Sequence, residues 1–176
     1  KGCQKRTVAR KVSSLRSLFK FAYSNDLISI NPMDKVNSPK LGRKLPSFLY
    51  QDAVQLLLNA PDSSPLGIRD KALLELLYAS GMRVGELEKL NCSDVDFDHC
   101  QALVLGKGNK ERIVPFGSYA FDALNEYLQV VRPKFAAKAS ETDDQDALFL
   151  NQQGGRLTSR GIRYIVKKYV NKVSLE

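Results

Sequence analysis

A proline-containing stretch near residue 40 is the feature that most limits how this chain can fold. Pro32, Pro39 and Pro46 interrupt a segment that has several lysines and little helical or alternating pattern. Proline cannot donate a backbone hydrogen bond and it restricts the residue before it, so regular structure rarely continues through such a stretch. We therefore predict an extended linker over residues 36–46, with a structural unit on each side of it.

The segment before the linker has the pattern of an amphipathic helix with a basic side. Over residues 6–23, apolar side chains recur every three or four positions and basic residues occupy the other faces. Residues 1–46 have a net charge of +9, whereas residues 47–176 have a net charge of −1. This asymmetry favours a polyanionic partner such as nucleic acid, although a solvated basic face without a partner would give the same composition.

The segment after the linker mixes helical and strand-like patterns. These predict an α+β fold, mainly helical with one small antiparallel sheet. The predicted helices cover residues 51–59, 67–80, 84–90, 118–131 and 158–173, and the predicted strands cover 94–98, 101–105 and 112–116, with a further candidate strand at 148–151. Gly81 follows the second of these helices, where glycine is typical of a left-handed C-terminal cap.

Composition argues against several classes of protein. Apolar runs fall far short of the roughly 20 residues that span a bilayer. The three cysteines are odd in number and have no C-x-x-C spacing, which argues against a disulfide framework or a zinc site and favours a cytoplasmic protein. The chain begins with lysine and has no signal-like leader, so we expect it to be part of a longer protein.

Two cations lie at positions where the backbone should turn sharply. Arg83 follows Gly81 at the expected break between two helices, and Lys107 lies between two glycines at the end of a predicted strand. Flanking glycines let a backbone approach a ligand closely. The alternatives are plain: Arg83 could simply pair with Glu86 three residues later, and Lys107 could be an ordinary basic turn residue.

The two positions belong to a pair of motifs. Residues 79–87 read Ala-Ser-Gly-Met-Arg-Val-Gly-Glu-Leu, and residues 106–112 read Gly-Lys-Gly-Asn-Lys-Glu-Arg, followed by Val114-Pro115. The first resembles the G-x-R-x-x-E-L segment of the tyrosine recombinases, and the second resembles their hairpin segment G-K-G-x-K-x-R. In order and spacing the chain resembles the Xer-type members of that family, and the resemblance covers nearly its whole length.

The resemblance implies roles for three residues. Arg83 would bind the non-bridging oxygens of the scissile phosphate and stabilise the transition state. Lys107 would protonate the departing 5′-oxygen, and Glu86, as a buried carboxylate, would orient Arg83. The family cuts double-stranded DNA through a 3′-phosphotyrosyl intermediate, needs no metal or cofactor, and works as a tetramer on two DNA sites.

The resemblance also implies a division into domains. Residues 1–35 would hold the last helix of the core-binding domain, 36–46 the interdomain linker, and 47–176 part of the catalytic domain. We expect DNA contacts, mainly to phosphates, from two groups of residues. The first group lies on the basic helix and the second on the hairpin and at the start of the last helix: Lys5, Arg6, Thr7, Arg10 and Lys11, and Lys110, Arg112, Thr158 and Arg160.

The sequence departs from the family pattern near its end. The family's His-x-x-Arg segment, its later His or Trp and its nucleophilic tyrosine would follow the last predicted helix, and the 176 residues do not contain them. The single histidine, His99, is expected at an exposed turn. We therefore expect this fragment to be monomeric and unable to cleave DNA, while the full-length protein does so.

Two other classes of function stay open at this stage. A non-catalytic DNA-binding module from a degenerate relative would share the same motifs, and the coding sequence beyond residue 174 would distinguish it. A helical domain that binds an acidic protein partner would explain the basic helix but not the spacing of Arg83 and Lys107. DNA binding predicts an affinity that falls steeply with salt.

Overall fold

The computed structural model describes residues 2–42, 50–106, 108–140 and 145–174. The chain divides into two units, Lys1–Phe48 and Leu49–Glu176. Within the described residues no helix is long and apolar enough to cross a membrane. The predicted linker at 36–46 lies partly outside the described residues, and the assignment of each unit to a domain stays a prediction.

The described residues of the first unit contain one helix, α1 (Lys5–Ser24), as the helical spacing predicts. None of its residues is buried, and Leu15, Leu18 and Phe21 are among its exposed apolar side chains. The segment after it is tied back to the helix by Arg16, whose Nη2 donates to the carbonyl of Val36 at 2.7 Å. The described part of the first unit therefore contains an amphipathic helix that leaves several apolar side chains exposed and others, such as Val12 and Phe19, half-buried.

The second unit begins with α2 (Gln51–Asn59) and α3 (Pro65–Ser80). Ser64 caps the start of α3, with its hydroxyl accepting a hydrogen bond from the amide of Gly67, and Gly81 caps its end with φ of +60°. That left-handed cap confirms the prediction from the sequence. A short helix, α4 (Val84–Lys89), follows at once because the cap turns the chain.

The sheet has three antiparallel strands in sequential order: β1 (Val95–Asp96), β2 (Gln101–Leu105) and β3 (Glu111–Pro115). In the β2–β3 ladder Val104 lies opposite Arg112 and Leu105 opposite Glu111. All three strands were predicted, but β1 is shorter than expected. It ends where the Asp96 carboxylate accepts the backbone amide of His99 and closes a turn.

The next helical region differs from the single helix predicted over 118–131. It consists of α5 (Ser118–Glu126), a π-helical turn (Tyr127–Val131) and α6 (Arg132–Ala136). Pro133 has no amide hydrogen to donate to a carbonyl in the preceding turn, and a wider turn accommodates that loss. Since proline is tolerated in the first turn of a helix, α6 continues beyond the position where the sequence suggested an end.

The candidate strand at 148–151 is wrong. Among the described residues this segment makes only isolated bridges, Asn91 to Ala147 and Leu150 to Arg156. Its backbone groups have separate partners: the amide of Leu148 donates to the carbonyl of Leu90, and the amide of Leu150 donates to the Tyr127 hydroxyl. A short buried apolar segment has the sequence pattern of a strand even when its backbone groups form hydrogen bonds with separate partners.

The last helix, α7 (Ser159–Val173), confirms the prediction over 158–173 to within a residue. A single hydrophobic core joins α7 to the rest of the second unit. The largest fully buried side chains of this core include Tyr127, Leu73, Leu76, Leu87, Leu124, Leu148, Leu150 and Ile162. The predicted class, α+β with a small antiparallel sheet, is therefore confirmed. The α3 helix lies within this core, which fixes the end that carries Gly81.

Candidate active site

Arg83 is the N-cap residue of α4, immediately after the left-handed turn at Gly81. Its neighbour Met82 is buried, whereas the Arg83 side chain is 76% exposed. The buried neighbour anchors the backbone and the turn directs the guanidinium outward. Of its nitrogens, Nη1 donates to Glu86 Oε1 at 3.0 Å, which leaves other donors of this exposed group available to a ligand.

Glu86 is buried and receives four hydrogen bonds. The Arg83 backbone amide donates to Oε2 at 2.7 Å, and Arg83 Nη1 donates to Oε1. Arg112 donates through Nη1 to Oε1 and through Nη2 to Oε2, both at 2.8 Å. These contacts, with that from Arg112 the largest, lower the pKa of Glu86 to about 2 against the opposing effect of burial. Glu86 is therefore ionised at neutral pH and accepts hydrogen bonds from Arg83, and its role in orienting Arg83 for catalysis stays a prediction.

The hairpin brings Arg112 to this carboxylate. The amide of Gly106 donates to the carbonyl of Lys110 at 2.8 Å, which closes the turn, and Lys110 itself is exposed. Lys107 lies outside the described residues, so its predicted role stays a prediction. Arg112 is 40% exposed, and both of its terminal nitrogens bind Glu86. A direct contact between Arg112 and a DNA phosphate stays a prediction.

An open groove of about 720 Å³ lies beside Arg83. It is bordered by α4, the end of β2 and the first part of α7. Its lining residues are Met82, Arg83, Val84, Gly85, Glu86, Glu88, Lys89, Leu105, Gly106 and Arg163. Arg163 was missed in the sequence because it belongs to no motif, but its three-residue spacing from Arg160 on α7 was a usable signal.

The start of α7 is joined to α4 next to the groove. The Ser159 hydroxyl donates to the Glu88 carboxylate, and this contact is the largest cause of the lowered pKa of Glu88. Thr158 caps the helix, with its hydroxyl accepting the amide of Gly161 at 3.3 Å, and Arg160 is exposed. A helix N-terminus with an exposed arginine suits an anion.

The remaining predicted contacts lie on α1 in the other unit. Lys5, Arg6, Arg10 and Lys11 are exposed, and Thr7 is partly buried. Arg6 and Arg10 are four residues apart and so lie on one face of the helix. The contacts of these side chains with DNA stay predictions.

His99 and the tyrosines of α7 do not line the groove. His99 is exposed, and its Nδ1 lies 2.7 Å from Asp96 Oδ2, which lowers the pKa of Asp96. Tyr169 is buried against Asp70, whereas Tyr164 is 71% exposed. Within residues 2–42, 50–106, 108–140 and 145–174, no cluster of three or more His, Cys, Asp or Glu side chains could hold a metal ion.

With this geometry established, comparison with known proteins identifies the family. The family model described as "Phage integrase family" matches residues 47–176, nearly three quarters of the chain. This chain belongs to the phage integrase family. The match covers the groove, α7 and the hairpin, so the motifs at Arg83 and Gly106 lie within the family region.

Relatives of this integrase family member include the tyrosine recombinase XerC of Pelotomaculum thermopropionicum, 47% identical over 176 residues. XerC of Bacillus subtilis is 47% identical over 175 residues. Both alignments cover 99% of this chain, and the chain spans 58% and 57% of those relatives.

Solved structures share the fold. The XerH recombinase in a pre-cleavage complex with its difH substrate aligns with a TM-score of 0.74 at 23% identity, covering 99% of this chain and 50% of that one. The XerA recombinase aligns with a TM-score of 0.61 at 25% identity, covering 93% and 55%. The predicted resemblance to Xer-type tyrosine recombinases is confirmed.

Proposed function

We propose that the full-length protein is a site-specific tyrosine recombinase and that these 176 residues supply DNA binding and part of its phosphate-binding site. The observation that carries the proposal is Arg83, a largely exposed guanidinium at the start of α4, oriented by a buried carboxylate and facing an open groove. A cation that is fixed in a groove stabilises the negative charge that develops on a phosphodiester in the transition state of cleavage.

The proposed chemistry assigns Arg83 to the non-bridging oxygens of the scissile phosphate. A tyrosine of the full-length protein gives up its hydroxyl proton to water and attacks phosphorus. A 3′-phosphotyrosyl bond forms as the bond from phosphorus to the 5′-oxygen breaks, and the 5′-oxygen departs with a proton from Lys107. Attack by a 5′-hydroxyl reverses the step, so the bond energy is retained without a cofactor. Glu86 acts as neither acid nor base, because two arginines hold it ionised at neutral pH and its pKa of about 2 makes it a weak base.

The proposed DNA surface adds two groups of basic and polar residues. One lies on α1, and the other consists of Lys110 on the hairpin, Thr158 at the N-cap of α7, and Arg160 and Arg163 within α7. Two relatives by fold favour this assignment, since the solved structures are of XerH bound to difH and of the lambda integrase bound to DNA. Contacts of this kind to phosphates position a protein on a duplex and add affinity that depends on salt.

The first experiment measures binding of the 176-residue chain to a DNA duplex by fluorescence anisotropy between 50 and 300 mM salt, roughly the range in which counterion release is steep. We expect log Kd to rise linearly with log salt concentration. An affinity independent of salt would contradict DNA binding and revive an acidic protein partner.

The second experiment tests cleavage with a nicked suicide substrate, which traps a covalent protein–DNA adduct. We expect an adduct with the full-length protein and none with Arg83→Ala in that protein. We also expect none with the 176 residues alone, since their sequence has one histidine and no His-x-x-Arg segment. Binding without any adduct from the full-length protein would favour the non-catalytic DNA-binding alternative.

The proposed assembly is a tetramer of full-length subunits on two duplexes, whereas the 176 residues alone are expected to be monomeric. One relative by fold is described as a lambda integrase tetramer bound to a Holliday junction. Sedimentation velocity over a hundredfold range of concentration measures this directly. A dimer of the 176 residues that strengthens with concentration would contradict the monomer.

A further inference from the structure

The contact between Arg112 and Glu86 crosses from the hairpin to α4. Arg112 is on β3, opposite Val104 of β2, and its guanidinium binds both oxygens of a carboxylate that is 26 residues away in sequence. Two parallel N–H···O contacts of 2.8 Å form a bidentate pair, the most directional form of an arginine–carboxylate contact. The pair therefore fixes the hairpin and the start of α4 to one another.

Charge balance explains what this contact does for Arg83. Without Arg112, Glu86 and Arg83 would form a neutral pair, and the carboxylate would compete with a phosphate for the Arg83 guanidinium. With Arg112 bound, the three groups together carry one net positive charge. Both Glu86 oxygens accept from Arg112, and Arg83 contributes a single side-chain nitrogen to the cluster.

Gly106 leaves room for the pair. A Cβ atom at this position would lie 3.3 Å from Arg112 Nη1 and 3.3 Å from the Lys110 carbonyl oxygen, tighter than ordinary contacts. The Glu86 Oε1 atom would be 3.6 Å away. The hairpin backbone at Gly106 therefore lies close to the cluster of Arg83, Glu86 and Arg112.

We propose that Arg112 is a positioning residue for DNA cleavage, which binds Glu86 so that Arg83 stays available to the scissile phosphate and is held in register with the hairpin. The inference rests on the proposed function. It replaces the expectation that Arg112 itself contacts DNA phosphate.

The first test reads the carboxylate directly and needs no DNA. The Glu86 side-chain carboxyl carbon of the 176-residue chain is titrated by NMR in the wild type, Arg112→Gln and Arg112→Lys. We expect the Glu86 pKa to rise from about 2 toward its ordinary value of 4.5 in Arg112→Gln, with an intermediate rise in Arg112→Lys. Lys134→Gln on α6 removes the same charge from an exposed site outside the groove and should leave the Glu86 pKa unchanged.

The second test measures the rate of adduct formation on the suicide substrate by the full-length protein. Arg112→Gln should slow cleavage by about tenfold or more, with partial rescue by Arg112→Lys, because loss of contacts to a charged group costs about this much. A purely structural role would lower thermal stability and leave the rate of the folded protein unchanged.

A double-mutant cycle separates positioning from a direct phosphate contact. If Arg112 acts through Glu86, adding Arg112→Gln to Glu86→Gln should slow cleavage much less than it does in the wild type. Independent, multiplying effects would overturn the proposal. If Arg112→Gln does not fold, Arg112→Lys replaces it in the titration and in the cycle, because it keeps the charge and cannot form the bidentate contact with Glu86.

The outcomes for the two proposals are distinguishable. No adduct from the wild-type full-length protein would contradict the proposed function, and the NMR titration would still report on the contact. An active wild type with a fully active, folded Arg112→Gln variant would contradict the positioning role alone.

Discussion

The hydroxyl of Tyr169 donates a 3.0 Å hydrogen bond to Asp70 Oδ2 and so joins α7 to α3 across 99 residues of sequence. Asp70 is fully buried, and Arg69 donates to its other oxygen through Nε and Nη2. Lys168 Nζ lies 3.6 Å from Oδ2. This buried carboxylate thus connects the helix that ends at Gly81 with the helix that carries Arg160 and Arg163.

Removing the Tyr169 hydroxyl should therefore destabilise the second unit. We expect Tyr169→Phe to lower the free energy of unfolding by about 1–3 kcal/mol, since a buried charged acceptor loses a partner. Urea denaturation at pH 7 measures it. Tyr164→Phe on the same helix is the matched control, because Tyr164 is exposed and its loss should change stability by less than about 0.5 kcal/mol. Equal effects of the two substitutions would show that the Asp70 contact contributes nothing.

The lowered pKa of Glu86 predicts a dependence of stability on pH. Its folded-state pKa of about 2 lies below the ordinary value of 4.5, so its contribution is complete above about pH 4.5 and declines as the pH falls toward 2. The measurement compares urea unfolding of the wild type and Glu86→Gln from pH 6 to about pH 2.5, a range chosen to span that window. The stability difference between them should shrink across it. A difference that is constant with pH would mean that Glu86 is not the titrating group.

If Arg160 and Arg163 both contact phosphate, each should contribute about one unit to the slope of log Kd for DNA against log salt concentration. We expect Arg160→Gln and Arg163→Gln each to weaken binding and to reduce the slope of log Kd against log salt concentration. Lys134→Gln, outside the groove, provides the control for loss of one positive charge. A slope that changes equally in all three variants would show only the effect of net charge.

Gly154 adopts φ of +99°, and a Cβ there would lie 2.5 Å from the backbone nitrogen of Ala139. Moving backbone atoms away from a new Cβ costs much free energy, so Gly154→Ala should lower the free energy of unfolding by more than about 1 kcal/mol. Gly85→Ala is the contrasting variant: it lies in α4 with open space around it, and alanine there should stabilise by about 0.5–1 kcal/mol. Thermal unfolding of both variants against the wild type measures this. Similar destabilisation by both would contradict the argument from close approach.

The local sequence determined most of the secondary structure. Helical spacing of apolar residues defined α1 and α7, and Gly81 marked the end of α3, because these signals depend on neighbours a few positions away. The same logic failed at 148–151, where backbone partners come from Leu90, just after α4, and from Tyr127. It also failed at the π-helical turn before Pro133.

The sequence by itself determined the family motifs, the candidate roles of Arg83 and Glu86, and the excess of positive charge before residue 47. Only the tertiary structure decided that Arg112 binds Glu86 and that Arg163 lines the groove with Arg83. The physical reason is distance along the chain. A sequence motif reveals residues that are a few positions apart. The guanidinium of a hairpin residue meets a carboxylate on a helix only when both elements pack on the same core.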